Sequence, residues 1–358
     1  MMPRSALALS ALVAMLLAQG GCRPTVGMTP DTALTVREAW VSAIDTLDNV
    51  DGPAIWFSAD GPRIIASAKA TDVLIVQDAI TGTELRRVAG PGPADGQLER
   101  PNGVLVLGDS LLLVVERDNH RVQAFALPSF QSLGSFGATE LVNPYGLTAY
   151  APERGMYRVY VTDNYETADE SVPPLAELGR RVKWYDMSVR DGRVRAALGG
   201  MFGDTTRAGA IRITESIMVD PALGRLMIAE EDETDTQVKE YTLDGRFTGR
   251  TFGKGVFTQQ AEGIALWSCP DSTGYWVTTD QGNPVNTFHL FDRQTLAHVG
   301  AFRGAVTHTT DGVALTQRSV GGATEGMFFA AHADAAISAM PWRAIARATG
   351  ARTSCGRR

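Results

Sequence analysis

The sequence predicts an all-β fold, a six-bladed β-propeller of four-stranded antiparallel blades. Three observations carry that expectation. First, a phrase of one small, polar or acidic residue, glycine and three largely apolar residues recurs: Asn102-Gly103-Val104-Leu105-Val106, Tyr145-Gly146-Leu147-Thr148-Ala149, Glu262-Gly263-Ile264-Ala265-Leu266 and Asp311-Gly312-Val313-Ala314-Leu315. Degenerate copies stand at Glu215-Ser216-Ile217-Met218-Val219 and Gly52-Pro53-Ala54-Ile55-Trp56. Second, aligned on the glycine (Pro53 and Ser216 in the degenerate copies), the spacings are 50, 43, 70, 47 and 49 residues, a period of arrays and propellers. Third, each phrase is followed by further short β-branched and aromatic runs bounded by Gly, Asp, Asn and Pro, such as Leu111–Val115 and Arg121–Phe125. Outer strands fit Leu133–Phe136 and His298–Phe302. Four strands in each of six units describe the propeller.

The elements follow in order. Residues 1–21 read as an export signal, with Arg4 in a positive start and Ala6 to Ala18 as an apolar stretch too short to span a bilayer. Gln19-Gly20-Gly21-Cys22 resembles a bacterial lipoprotein signal, with Cys22 lipidated; ordinary cleavage and secretion is the alternative. Either takes the chain out of the cytoplasm, as an outer-membrane or cell-surface lipoprotein or as a periplasmic or secreted protein. Residues 22–35 read as a tether, 36–350 as the propeller and 351–358 as a tail. Ala39 to Leu47 offers a strand that closes the last blade. The 70-residue spacing marks an acidic insertion, Tyr165 to Leu178, read as a surface loop. Pro341 opens a short helical pattern through Ala346.

The chain carries 33 Lys+Arg against 40 Asp+Glu. Residues 1–21 hold Arg4 and no acid, so the remainder has a net charge of −8. That balance argues against nucleic acid as a partner, which needs a basic surface. A monomer is expected, with the membrane met only through the lipid. With Cys22 lipidated, Cys269 and Cys355 are left to form a disulfide or to stay as two free thiols.

Nucleophile motifs are missing: no Gly-x-Ser-x-Gly elbow, no phosphate-cradling P-loop and no His-Glu-x-x-His helix. The histidines at 120, 289, 298, 308 and 332 are scattered singly. Carboxylates are patterned instead. Asp51, Glu215, Glu262 and Asp311 stand where an innermost strand begins, and the run Glu230-Glu231-Asp232-Glu233 ends the second strand of the fourth unit. Equivalent positions of propeller blades converge on the central channel, where like charges need a cation between them. Asp51, Glu215, Glu230, Glu231, Glu262 and Asp311 are therefore candidate metal ligands; oxygen donors without His or Cys suit Ca2+ or Mg2+, and a flexible site of several carboxylates suits Ca2+ better, with several ions expected. Lys69, Arg117 and Tyr145 occupy related places and suit a small anionic phosphate ester.

These residues resemble the β-propeller phytases over about Asp51 to Gly350. The closest phrases are Asp51-Gly52-Pro53-Ala54-Ile55-Trp56, Ile228-Ala229-Glu230-Glu231-Asp232-Glu233, Gln281-Gly282-Asn283, Thr310-Asp311-Gly312 and Met340-Pro341-Trp342. The resemblance implies a calcium-dependent phosphomonoesterase acting on phytate or related esters. It makes Glu231, Glu215, Glu262 and Asp51 the catalytic carboxylates, with Asp311, around calcium and the attacking water. Lys69, Arg117 and Tyr145 would bind substrate phosphates. The chain departs from the family pattern at Gly52, Gln260, Thr309, Asp163-Asn164 and His332-Ala333-Asp334-Ala335-Ala336, where acids, an Asn or a Lys are usual. Arg180, Arg181 or Lys183 stand near enough in sequence to replace that Lys. A propeller that only binds a partner, and a calcium-dependent lactonase using the same carboxylates, are the other readings.

Overall fold

A computed structural model of the chain describes residues 33–356. The export signal, Cys22 and most of the tether lie outside the described residues. Six sheets follow one another along the chain. Blade 1 comprises Val50–Ser58, Gly61–Ala68, Val73–Asp78 and Glu84–Val88; blade 2 comprises Pro101–Leu107, Leu111–Glu116, Arg121–Ala126 and Gln131–Phe136. Blade 3 comprises Pro144–Glu153, Met156–Asp163, Val182–Arg190 and Arg193–Phe202; blade 4 comprises Ile217–Asp220, Arg225–Glu230, Gln237–Thr242 and Phe247–Phe252. Blade 5 comprises Gln260–Ser268, Gly274–Gln281, Thr287–Asp292 and His298–Gly304; blade 6 comprises Val313–Thr316, Met327–His332 and Ala336–Pro341. This is the six-bladed propeller that the repeat predicts.

Alternation along the strands explains why the blades stack. Leu111, Leu113 and Val115 pack towards blade 3, whereas Leu112 and Val114 on the same strand pack towards blade 1. A strand buried on both faces reads as an unbroken apolar run, and Leu111–Val115 does so. One such cluster fills each junction between neighbouring blades. Each buried Leu, Val or Phe contributes about 1.5–3 kcal/mol.

Two segments close the ring. Trp40–Val41 pairs antiparallel with Ala339 and Ser338 as the fourth strand of blade 6, inside the predicted Ala39–Leu47. Leu34–Val36 adds a fifth strand to blade 5, parallel to Phe302–Gly304. The predicted tether therefore stops short of Leu34, and this edge departs from purely antiparallel pairing. Val36 is buried in the blade 5–6 cluster, and Glu38 accepts hydrogen bonds from the amides of Ala305, Val306 and Thr307, which fixes the segment there. At the other end, Trp342–Thr349 is a helix that follows Pro341, and Gly350 terminates it at φ 74°. Trp342 stacks on Trp267 at 5.6 Å. Cys269 and Cys355 are joined as a disulfide across 86 residues, worth roughly 4–5 kcal/mol by chain entropy. The tail is thus pinned to blade 5.

The insertion of blade 3 is a surface loop held at its ends, where Tyr165 and Leu178 are buried and the Tyr165 hydroxyl donates to the Glu177 carbonyl.

The recurring glycine has a steric cause. The register of the first hairpin slips between Val50 and Pro53, Pro101 and Val104, Pro144 and Leu147, and Ala261 and Ile264. Each slip is a bulge at the residue–glycine pair, which turns the preceding side chain inward. This register makes Gly52, not Pro53, the blade 1 equivalent of Gly103, and corrects the sequence alignment by one residue. Neighbouring inner strands approach closely there. A Cβ on Gly146 would lie 1.8 Å from the Glu215 carbonyl oxygen, and one on Gly312 would lie 2.5 Å from Gly52 Cα. Gly146→Ala is accordingly expected to destabilise the protein by about 1–3 kcal/mol or more through overpacking, read by urea denaturation. An unchanged midpoint would show that the inner strands have room to separate.

Candidate active site

The bulges and the antiparallel register set two rings of side chains at one end of the channel. The residues before the phrase glycine or its equivalent form the inner ring: Asp51, Asn102, Tyr145, Glu215, Glu262 and Asp311. The second ring comes from the residue three past the partner of the first apolar position. In chain order these are Lys69, Arg117, Asn164, Glu231, Gln281 and Ala333. The channel has a volume of about 440 Å³, acidic at this mouth and apolar further in, where Ile55, Leu105, Leu147, Met218 and Leu266 line it.

Carboxylates gather on the blades 4–6 and 1 side. Oxygens of Glu215, Glu231 and Glu262 lie within 4.8 Å of one another. Glu231 accepts the Glu215 amide at 2.7 Å, which fixes one against the other. Among the described residues no donor reaches Glu262 Oε2, although that atom is buried. Asp311 accepts from Gln281 Nε2 and, at 3.2 Å, from Lys69 Nζ. Lys69 Nζ is 3.7 Å from Asp51 and donates at 3.0 Å to the Tyr145 hydroxyl.

The titration of the cluster follows from this crowding. Two carboxylates about 4–5 Å apart repel by roughly 3–4 kcal/mol at an effective dielectric of about 20. Burial, reinforced by Asp311 against the pull of Lys69, pushes Asp51 up to about 7. Burial with Asp51 and Asp311 pushes Glu215 up to about 8. Burial and neighbouring acids raise Glu231 and Glu262 well above the carboxylate range. Burial works against the Lys69 ammonium, but Asp51, Asp311 and Glu215 outweigh it and hold its pKa above the ordinary value. All-oxygen donors and an unpaired buried carboxylate oxygen fit a hard divalent cation such as Ca2+.

Glu230 does not belong to this set, which corrects its place among the candidate ligands. Its side chain points away from the mouth and accepts the amides of Arg212, Ile213 and Asp232 at 2.8, 3.1 and 3.2 Å, with Lys239 at 3.3 Å. Asp163 accepts the amides of Val142 and Asn143 in the same way, and Asp280 those of Thr258 and Gln259. These acids hold the loops that enter the inner strands of blades 3, 4 and 5. Arg117 stands at the rim, paired with Asp118 at 2.7 Å, apart from the Lys69–Tyr145 contact. Of the three cations near the insertion, Arg181 and Lys183 are buried and spent on the backbone and on Asp163, and Arg180 packs over Tyr165 at 5.1 Å. Gln260 faces Gln281 across the ladder.

Three further residues of the mouth stand in phrases compared with the family pattern but have no predicted role of their own. Asn164 accepts the Thr214 amide, Gln281 holds Asp311, and Asp334 lies close enough to Asp311 for burial and that charge to raise its pKa.

The raised carboxylates have a stability consequence. Their unfolded values are near 3.8 for Asp51 and 4.5 for Glu215, so between about pH 4 and 8 the folded protein binds more protons than the unfolded chain. Stability then falls as pH rises through that window. Stripped of divalent cations, the protein should melt at a lower temperature at about pH 8 than at about pH 5, with most of the difference removed by saturating calcium. A metal-free melting temperature that climbs over the interval contradicts this assignment.

Residues 200–326 match a family model described as Phytase, a span that contains Glu215, Glu231, Glu262 and Asp311. Among solved structures, a gluconolactonase from Xanthomonas campestris is similar at 12% identity and a TM-score of 0.50, over 85% of this chain and 88% of that one. A catalytically inactive virginiamycin B lyase from Staphylococcus aureus is similar at 10% identity and a TM-score of 0.48, over 84% and 87%. At such identities the likeness is one of fold alone. The family match is a similarity to the phytase family over part of the chain, a span that holds blades 4 and 5 and the start of blade 6 of the six-bladed ring.

Proposed function

We propose that the protein is a calcium-dependent phosphomonoesterase that releases phosphate from phytate or a related phosphate ester. The observation that carries this reading is the juxtaposition at one channel mouth of five carboxylates with the Lys69 ammonium and the Tyr145 hydroxyl. Glu215, Glu231 and Glu262 would hold calcium, with Asp51 and Asp311 beside them. Calcium bound there supplies charge neutralisation and a water of lowered pKa.

The chain's own residues do the rest. Glu231 is oriented by the Glu215 amide, and Gln281 orients Asp311. Lys69 and Tyr145 donate towards phosphate oxygens, and Arg117 at the rim meets a neighbouring phosphate of the same substrate. Burial of the carboxylates keeps bulk water from screening these charges. We place the activity outside the cytoplasm, with Cys22 as a lipid anchor; the leader-like residues 1–21 and a disulfide, a bond of oxidising compartments, support that placement.

Phosphate release from phytate should require calcium and drop to background in chelator. Glu215→Gln and Glu231→Gln should each lower kcat/KM on the order of a hundredfold or more while leaving the far-ultraviolet circular dichroism native. Equal background release with and without calcium rejects the enzymatic reading. Calcium binding without release assigns the mouth to ligand binding alone.

A further inference from the structure

Lys69 is placed among the protein's own acids rather than facing the open mouth. An ammonium has three N–H donors. Here they face Asp311 Oδ2 at 3.2 Å, the Tyr145 hydroxyl at 3.0 Å and Asp51 Oδ1 at 3.7 Å. The side chain is buried, and Asp51 and Asp311 come from blades that meet where the ring closes, at Gly52 and Gly312. In this arrangement two of the three donors are taken by Asp311 and Tyr145, and the third is turned towards Asp51 as an ion pair. The positive charge of Lys69 stands between two carboxylates that otherwise repel each other.

We infer that Lys69 is an internal counter-ion that holds Asp51 and Asp311 in the metal-free protein and is displaced by a divalent cation, which frees it to bind the phosphate ester. This rests on the reading of the mouth as a calcium-dependent phosphatase site. The electrostatics make the two states exclusive, because a doubly charged ion sharing those carboxylates repels an ammonium at contact distance. Metal then precedes substrate. Lys69 thus has two successive partners: the protein's own acids, then the substrate. It is a positioning residue for Asp51 and Asp311 before it is a phosphate ligand.

Two measurements on the full-length protein test this. In calorimetric titrations with calcium, Lys69→Met should bind at least tenfold more tightly than wild type at one site, since the competitor is gone. In wild-type protein, calcium should raise the acetylation rate of Lys69 severalfold. Exposed Lys254 and buried Lys239 serve as unchanged references. The labelling needs no variant, so it decides the matter even if Lys69→Met folds only with calcium present. Calcium binding by wild type with unchanged or weaker binding by Lys69→Met, or with Lys69 labelling flat, overturns the inference alone. No calcium binding by wild type overturns the phosphatase reading itself, and this inference with it.

Discussion

The inner strands meet so closely at Gly103, Gly146, Gly263 and Gly312 that their neighbours leave no room for a Cβ. Everything distinctive about the mouth depends on that approach. With the glycines nearly touching, the bulges aim the preceding side chains at a common centre, and the chemistry of those side chains is no longer independent. Acids that would be harmless at a rim become mutual neighbours a few ångströms apart. Their raised pKa values and the tie of Lys69 to two of them are consequences of backbone packing.

The ring is also electrically lopsided. Blades 4, 5, 6 and 1 supply the inner acids, whereas blades 2 and 3 supply Asn102 and Tyr145, with Arg117 and Asn164 behind them. A polyanion facing a ring of acids alone would be repelled. Here the negative charge is concentrated on one side and hydrogen-bond donors stand on the other. The division follows blade boundaries, so each half is carried by its own sheets and by the apolar clusters between them.

Much of this was legible in the sequence because one constraint repeats. Where a Cβ is excluded the residue must be small, so glycine recurs, and counting glycines counts blades. The inner ring could be read from the same phrase, since its members stand at a fixed distance of one residue. The second ring could be read only in part, at Lys69, Arg117 and Glu231. Its distance from the glycine varies with the length of the first hairpin, from Gly103 to Arg117 on a short one and from Gly146 to Asn164 on a long one. Glu230 and Glu231 show the limit most plainly. Both are acidic and adjacent, yet successive residues turn opposite ways, so one faces the mouth and the other the loop amides. Composition cannot tell them apart; register does. Leu34–Val36 was illegible for another reason: three residues at a sheet edge are too few to show a period.

Closure by the strand Trp40–Val41 has a bearing on how the molecule is made. Trp40 pairs with Ala339, 299 residues later. A chain emerging in order from a ribosome or a translocation pore presents this strand before blade 1 and its partner after blade 5. Blades 1 to 5 can collapse in sequence on local hairpins, but blade 6 waits for both ends of the chain, a contact of very high sequence separation. Until then Trp40 and the free edge of Ala336–Pro341 remain unpaired, the kind of edge that other chains can pair with. The last step of assembly is therefore a docking of the two ends of the chain, after which the Cys269–Cys355 bond can secure the tail beside the seam.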